Sequence, residues 1–177
     1  MTTEVTRIQP PIFSLPQDRL LTLNVNTVPV LRDAAGPGVS FQPLYLDPEA
    51  GLWTVMGVFA PGAELPAHLH TGAVHGYTLS GSWIYKEYPD QVQVAGSYLY
   101  EPASSYHTFY VPETNTEDTV VLFIVYGANV GFTEDGKFHS ILDALTVQKL
   151  AEQWAQNNEG VTVDYLKGGS AGYATEV

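Results

Sequence analysis

Two histidine-bearing segments constrain the fold more than any other feature of this sequence. One carries His68 and His70, and the other ends at His107. Side chains two positions apart on a β-strand leave the same face, so a strand here would present two imidazoles side by side. A neighbouring strand can bring His107 to the same place. The spacing therefore predicts a three-histidine metal site between β-strands, with one side of the metal open to water, substrate or oxygen.

Short stretches of β-forming residues, separated by Gly and Pro turns, predict an all-β sandwich or small barrel. The strongest stretch is 119–126, which is apolar on both faces and is predicted to be a central strand. Ser80-Gly81 carries the turn signal of a hairpin. The other predicted strands are 39–46, 53–60, 68–70, 75–79, 82–87, 96–101 and 106–111.

The two ends of the chain differ in pattern from this centre. Residues 1–19 hold several prolines and predict an irregular arm, while 168–177 is Gly-rich and tail-like. Apolar residues at helical spacing predict a helix over 145–157, packed on the outside of the barrel. With no repeat and no composition boundary, residues 1–177 are expected to form a single domain.

Composition narrows the classes of function. The 177 residues carry a net charge of −12 with only seven Lys and Arg, so nucleic acid and anionic membranes are not expected as partners. No cysteine is present, which excludes disulfides, zinc–thiolate sites and a catalytic thiol. Without a visible signal peptide or a long apolar run, a cytoplasmic protein is expected.

The two histidine segments resemble the two motifs of the cupin superfamily. The second motif departs from its usual form at two places, where Ser104 stands for a Gly and Val111 for an Asn. The resemblance implies a cupin double-stranded β-helix, a small jelly-roll barrel, with one C-terminal helix. The matching positions are Gly62, His68, His70 and Gly81 in the first motif, and Gly96, Pro102 and His107 in the second.

The first motif lacks its usual glutamate ligand. Counting back from Gly81 puts Val74 at that position, whereas counting on from His70 puts His75 there. The segment is therefore similar to the three-histidine dioxygenase subgroup that includes 2,4'-dihydroxyacetophenone dioxygenase and acetylacetone dioxygenase. That resemblance implies one Fe(II) per chain, with Zn(II) as a possible occupant after purification, and O2 as co-substrate. It also implies that the enzyme cleaves a C–C bond of an enolisable ketone. The expected substrate is an aryl hydroxymethyl ketone, which would give a carboxylic acid and formate. The expected assembly is a homodimer or homotetramer.

Three further residues are candidates for the site. Glu101 shares a strand face with Leu99 and would point inward, where a carboxylate either orients a ligand imidazole or accepts a proton from the substrate. The alternative for Glu101 is a solvated charge at a strand end. Tyr77 is the candidate for a substrate-binding pocket wall, with a plain core position as its alternative. His75 is expected to line the pocket or hydrogen-bond a neighbour, and a role as fourth ligand stays open.

The charge of such a site favours a particular substrate class. Two histidines and a carboxylate would leave Fe²⁺ with about one positive charge, whereas three neutral histidines leave about two. One extra unit of charge at ~4 Å is worth up to about 4 kcal/mol at an effective dielectric near 20. A bidentate anion, such as the enolate of a β-diketone or an α-hydroxyketone, would benefit most.

Two other classes of function share the same residues. A non-catalytic zinc-binding cupin could act as a small-molecule sensor or interaction module, because zinc has no redox chemistry. A metal-dependent isomerase or lyase could use the same scaffold, since one fold hosts many activities. Metal analysis of protein purified without added metal best separates these hypotheses.

Overall fold

The structure, a computed structural model, describes residues 21–169. The predicted arm at 1–19 and residues 170–177 of the predicted tail lie outside this range. A short 3-10 turn, Val25–Thr27, comes first. The strands are β1 (Val39–Asp47), β2 (Leu52–Phe59), β3 (Glu64–His70), β4 (Val74–Ser80), β5 (Ser82–Tyr85), β6 (Gln93–Val94), β7 (Tyr98–Glu101), β8 (Tyr106–Tyr110), β9 (Thr119–Tyr126), β10 (Asn129–Phe132), β11 (Phe138–Leu142) and β12 (Leu166–Lys167), and the helix α1 is Ala144–Asn157.

Two six-stranded sheets enclose the core. Sheet A has the strand order β12-β1-β2-β9-β4-β7, and sheet B has the order β11-β10-β3-β8-β5-β6. From β2 to β5 and from β6 to β10 the chain switches sheets at every strand, as in a jelly roll, and this confirms the predicted fold class. Strand β9 pairs with β2 on one side and β4 on the other, so its two apolar faces occupy the predicted central position.

The predicted hairpin at Ser80-Gly81 is wrong. Strand β4 pairs with β7 and β9 in sheet A, whereas β5 pairs with β6 and β8. Gly81 has a φ of +71°, and a Cβ there would lie 2.4 Å from Oγ1 of Thr119. The glycine is thus needed for a left-handed conformation and a close approach, where the chain crosses between sheets. A turn signal reports local backbone shape but not which strands pair.

Strands β10 and β11 were not predicted from the sequence. Strand β10 pairs with β3, placing Asn129 opposite His70 and Gly131 opposite His68. Strand β11 then pairs with β10 at the edge of sheet B, and most of its residues are exposed. These two strands therefore extend sheet B on one side of the first histidine strand. They carry no apolar face that sequence periodicity could reveal.

Helix α1 bridges the two sheets. Asp143 caps its N-terminus, because its carboxylate accepts a hydrogen bond from the backbone N–H of Thr146 at 2.8 Å. Val147 and Ala151 are buried in the same cluster as Trp53 on the inner face of sheet A. The helix thus helps to enclose the space between the sheets instead of packing on the outside of the barrel. It has 14 residues, and no helix within 21–169 is long and apolar enough to span a membrane.

Candidate metal centre

The register of sheet B brings the three predicted ligand histidines together. His68 and His70 lie on β3, and His107 lies directly opposite His68 on β8. The centroids of each pair of rings are 4.9 Å apart, and all three side chains are buried. Their nearest ring nitrogens all lie within 4.8 Å of one another, which forms a group able to hold a metal ion.

A backbone carbonyl orients the first histidine. Nδ1 of His68 donates to the carbonyl oxygen of Pro66 at 2.8 Å, because a carbonyl can only accept. Nε2 is then the nitrogen without a proton. Burial lowers the pKa of His68 to about 4, so its imidazole is neutral near pH 7. The neutral tautomer with a free Nε2 is the form that binds a metal.

One nitrogen from each of the other two histidines and one oxygen of Glu101 lie close together. Nε2 of His70 lies 2.9 Å from Nε2 of His107. Oε2 of Glu101 lies 2.9 Å from the first of these nitrogens and 3.2 Å from the second, yet neither contact to Oε2 has the direction of a hydrogen bond. Two imidazole nitrogens at about 2.0–2.1 Å from a shared ion are themselves about 3 Å apart, which is the spacing of the two Nε2 atoms. The donor set of three imidazoles beside a buried carboxylate therefore fits a divalent metal.

Glu101 reaches this place from sheet A. On β7 it lies directly opposite Val74 of β4, the residue at the acid position of the first motif. The neighbouring strand thus supplies a carboxylate at the level where the first motif lacks one. Burial raises the pKa of Glu101, but the contacts with His107 and His70 outweigh it and lower the pKa to about 2. Without a metal the carboxyl group of Glu101 is therefore ionised at neutral pH.

Tyr85 on β5 completes the inner cluster. Its hydroxyl donates a short hydrogen bond to Oε1 of Glu101, and its ring stacks on His107 with centroids 3.6 Å apart. Burial and the neighbouring Glu101 charge raise the pKa of Tyr85 well above its usual value, which keeps the hydroxyl protonated as a donor. Tyr85 therefore holds one carboxylate oxygen and leaves Oε2 facing the histidines.

The turn after β7 holds the backbone of His70. The backbone N–H of Ser104 donates to the carbonyl of His70 at 2.8 Å, and the N–H of His70 donates to the carbonyl of Ser105 at 3.0 Å. Ser104 has a φ of +71°, in the region that favours glycine. This residue stands at the usual glycine of the second motif, which explains why that motif prefers glycine there.

An apolar cavity of about 80 Å³ opens beside His68, His70 and Glu101. Both sheets contribute to its walls, which are mainly apolar, and the polar side chains of Ser40, Tyr85 and Asn129 line it besides the histidines and the carboxylate. Such an arrangement suits a small ligand with one polar, metal-binding end. Its walls include Val55, Phe59, Leu65, Phe109, Phe123 and Val125.

His75 and Tyr77 do not line this cavity, so the pocket prediction for Tyr77 is corrected. Of the two expectations for His75, the hydrogen bond to a neighbour is the one that the structure bears out. Both project from the outer face of sheet A, where Tyr77 is 46% exposed. Nδ1 of His75 lies 2.6 Å from the hydroxyl of Tyr98 on the same outer face. Alternation along β4 sends Val74 inward instead, and a shift of one residue reverses the face of a strand side chain.

Two residues of the site were missed or undervalued by sequence reasoning. The sequence does not single out Tyr85, and only its packing shows that the hydroxyl meets Glu101. Asn129 lines the cavity from β10, a strand that was not predicted. Its position opposite His70 depends on pairing between distant segments, and no local pattern announces it.

The two-sheet fold and the three-histidine site define a cupin. The chain belongs to the family described as the ChrR Cupin-like domain, whose model matches residues 21–130. This result confirms the resemblance drawn from the two histidine motifs. No curated protein matches the chain.

Solved structures show the same architecture. A protein of unknown function with a cupin-like fold from Ralstonia eutropha JMP134 is 39% identical, with 88% of this chain and 96% of that chain covered and a TM-score of 0.80. An RmlC-like cupin from the same organism is 28% identical, with coverage of 85% and 95% and a TM-score of 0.77. An acetylacetone dioxygenase from Acinetobacter johnsonii is 16% identical, with coverage of 84% and 99% and a TM-score of 0.63. At that identity the last likeness concerns the fold alone.

Proposed function

We propose that the protein is a non-haem Fe(II) dioxygenase that cleaves a C–C bond of an enolisable ketone. The observation that carries the proposal is the convergence of two ligand histidines and Oε2 of Glu101 beside an apolar cavity. Neutral nitrogen donors with an open side suit Fe(II), O2 and a chelating anion. The fold is also that of a solved acetylacetone dioxygenase, which supports the proposal by analogy only.

The histidines would hold the metal at Nε2. Pro66 sets the tautomer of His68, and the turn at Ser104 and Ser105 holds the backbone of His70. When bound, Fe(II) supplies Lewis acidity toward a chelating enolate and redox chemistry toward O2. The substrate is expected to meet the open side of the three imidazoles, where the apolar walls exclude water.

Glu101 is the proposed proton acceptor. Tyr85 holds Oε1, so Oε2 is the oxygen that can take the proton from the substrate carbon next to the carbonyl. Removing that proton produces the enolate, and the electron pair moves into the conjugated carbonyl system. A carboxylate held at one oxygen by a protonated phenol loses little freedom when the other oxygen reacts, so its position favours this step.

The substrate is proposed to be an aryl hydroxymethyl ketone similar to 2,4'-dihydroxyacetophenone. Its cleavage balances: one ketone and one O2 give one arenecarboxylic acid and one formic acid, with the bond between the carbonyl and hydroxymethyl carbons broken. The cavity of about 80 Å³ is small beside the ~300 Å³ at the lower end of usual ligand pockets. A short aliphatic β-diketone is therefore the competing substrate of the same class.

The remaining parts of the proposal concern partners and location. We expect a homodimer or homotetramer, because symmetric pairs are the commonest assemblies of soluble chains. The chain has no cysteine, so no thiol or disulfide requires a particular redox compartment. The cytoplasm is the expected location.

The decisive experiment measures metal and oxygen together. Metal content is determined on protein purified without added metal, and the apoprotein is then loaded with Fe(II) or Zn(II). Oxygen uptake is followed with 2,4'-dihydroxyacetophenone and with acetylacetone, and the acids formed are identified. We expect uptake of one O2 per ketone with Fe(II) only. No uptake with either ketone would refute the proposal.

The same experiment separates the two alternatives. Consumption of ketone without O2 would indicate an isomerase or lyase. Tight binding of one Zn(II) per chain, with no consumption of either ketone under Fe(II) loading, would favour the non-catalytic sensor or interaction module. The buried donor set alone suits all three classes.

A further inference from the structure

The outer face of sheet A carries aromatic and aliphatic side chains where a solvated strand face would carry polar ones. We call this patch the tyrosine face. Its members project from β4, β7 and β9 on the side opposite the metal centre. They are His75, Tyr77, Leu79, Tyr98, Tyr100 and Tyr126, and the exposed fraction ranges from 46% to 65% among the four tyrosines and Leu79.

The other half of the same face is already covered by the chain itself. The side-chain amide of Gln42 donates to the carbonyl oxygens of Val25 and Val28, which lays the segment 25–28 against the outer side of β1. Met56 and Val58 on the neighbouring strand β2 are also buried. Within residues 21–169, the cover stops before it reaches the tyrosine face.

We propose that the tyrosine face is the two-fold interface between two copies of this chain. Tyrosine is enriched at protein interfaces, and charged residues are depleted at interface centres. Strands β4 and β9 contain no Asp, Glu, Lys or Arg, in a chain of net charge −12. Two copies can therefore meet here without placing like charges against each other.

The area is sufficient for a stable pair. At these exposed fractions each tyrosine offers roughly 100 Å², and the whole face offers roughly 500–600 Å² with its aliphatic neighbours. A two-fold pair would then bury about 1,000–1,200 Å² in total, which reaches the lower limit for specific interfaces. A face of this size is at the upper end of what monomeric proteins expose, and patches of that size are often functional.

Variants of the full chain test this interface by light scattering. We expect the wild type to have twice the 19.3 kDa of one chain, or an even multiple of it. Tyr98→Glu and Leu79→Glu should each halve the mass, because each places a carboxylate in the apolar contact. Tyr88→Glu changes a residue of similar exposure, 52%, in the turn after β5 and should leave the mass unchanged.

Circular dichroism and zinc content establish that each variant is folded. A monomeric wild type, or unchanged mass in both folded face variants, would overturn the proposal. Deleting residues 1–20 tests a competing occupant of the tyrosine face. If the wild type is a monomer and the deletion makes it dimerise, the first 20 residues of the same chain cover the face.

A second inference concerns two buried polar atoms in the metal centre. Nδ1 of His70 and Oδ1 of Asn129 are both buried, and neither has a hydrogen-bond partner in the described part of the chain. Unpaired buried polar atoms are costly and rare, so each calls for an explanation. The two residues are direct cross-strand partners on β3 and β10, and both line the same cavity.

We infer that Asn129 is a positioning residue for His70 when a metal is bound, which rests on the metal-binding part of the proposed function. A metal at Nε2 of His70 requires the proton on Nδ1, and ligand histidines usually donate that N–H to a fixed acceptor. His68 has the carbonyl of Pro66 in this role. Oδ1 of Asn129 is the unpaired acceptor beside His70, reached directly or through one water.

Zinc affinity tests the assignment without any assay of turnover. Asn129→Leu keeps the size but removes the acceptor, and we expect zinc binding to weaken by about 10- to 100-fold. Asn129→Asp keeps an acceptor and should retain wild-type affinity or exceed it. Nitrogen-15 spectra of the zinc-loaded protein should show the Nδ1 resonance of His70 shifted in the Leu variant, because its N–H loses the acceptor.

Unchanged zinc affinity and an unchanged His70 resonance in Asn129→Leu would overturn the assignment. Equal weakening in the Leu and Asp variants would also overturn it, since it would point to packing alone. Because apoprotein and zinc suffice, failure here leaves the proposed dioxygenase activity untouched. Failure of zinc to bind the wild type would instead count against the metal centre itself.

Discussion

One histidine–tyrosine pair lies between the two sheets, and another of similar composition lies on the outer face of sheet A. Inside, His107 stacks on Tyr85, whose hydroxyl holds Glu101. Outside, His75 meets the hydroxyl of Tyr98, a residue that is 65% exposed. The difference lies in burial and in one carboxylate, not in the residue types. A histidine beside a tyrosine therefore acquires a candidate chemical role here only where the fold removes water and adds further ligands.

Removing a histidine from each pair should give the largest contrast. We expect His107→Ala to weaken zinc binding by more than about 100-fold, because loss of a direct ligand exceeds the usual effect of an outer residue. His75→Ala should leave zinc binding unchanged. Competition with a chelator of known affinity measures both. Equal zinc affinity in the two variants would break the comparison.

Glu101→Gln should have the next largest effect, on turnover with Fe(II) still bound. Gln cannot accept the substrate proton, so we expect turnover per bound iron to fall about 10²–10⁴-fold. A ketone that is already ionised at the assay pH should recover part of the rate. Glu113→Gln changes an exposed carboxylate and serves as the control.

The size of the loss distinguishes two roles for Glu101. If the carboxylate only orients His70 and His107, Gln still fills its place, and the loss should stay within about 10- to 100-fold for both ketones. Equal rates for Glu101→Gln and wild type at matched iron would remove the residue from the chemistry.

The smallest contrast compares the two tyrosine hydroxyls. Tyr85→Phe keeps the stacked ring but removes a hydrogen bond to a buried carboxylate, and we expect turnover per iron to fall by about 10-fold. Tyr98→Phe removes the hydroxyl beside His75 and should not change turnover. Steady-state kinetics at matched iron content measure both. A larger loss in Tyr98→Phe than in Tyr85→Phe would contradict the separation of the two faces.

Sequence reasoning succeeded where the information was local. The spacing of His68 and His70 places both imidazoles on one face of any strand, and the turn residues near His107 mark the second motif. It did not place His75 and Tyr77 on the outer face of sheet A, because the face of each side chain depends on the start of β4. A displacement of one residue exchanges the inner and outer faces.

The sequence by itself determined the class of fold and the three histidines of the candidate metal centre. Alternating and apolar strand patterns, with Gly and Pro between them, are short-range properties that survive without any knowledge of pairing. Only the tertiary structure decided that Glu101 stands opposite Val74, that Tyr85 holds its carboxylate, and that Asn129 faces His70. These relations join strands distant in the sequence, and hydrogen-bonded register between such strands is settled by packing of the whole core.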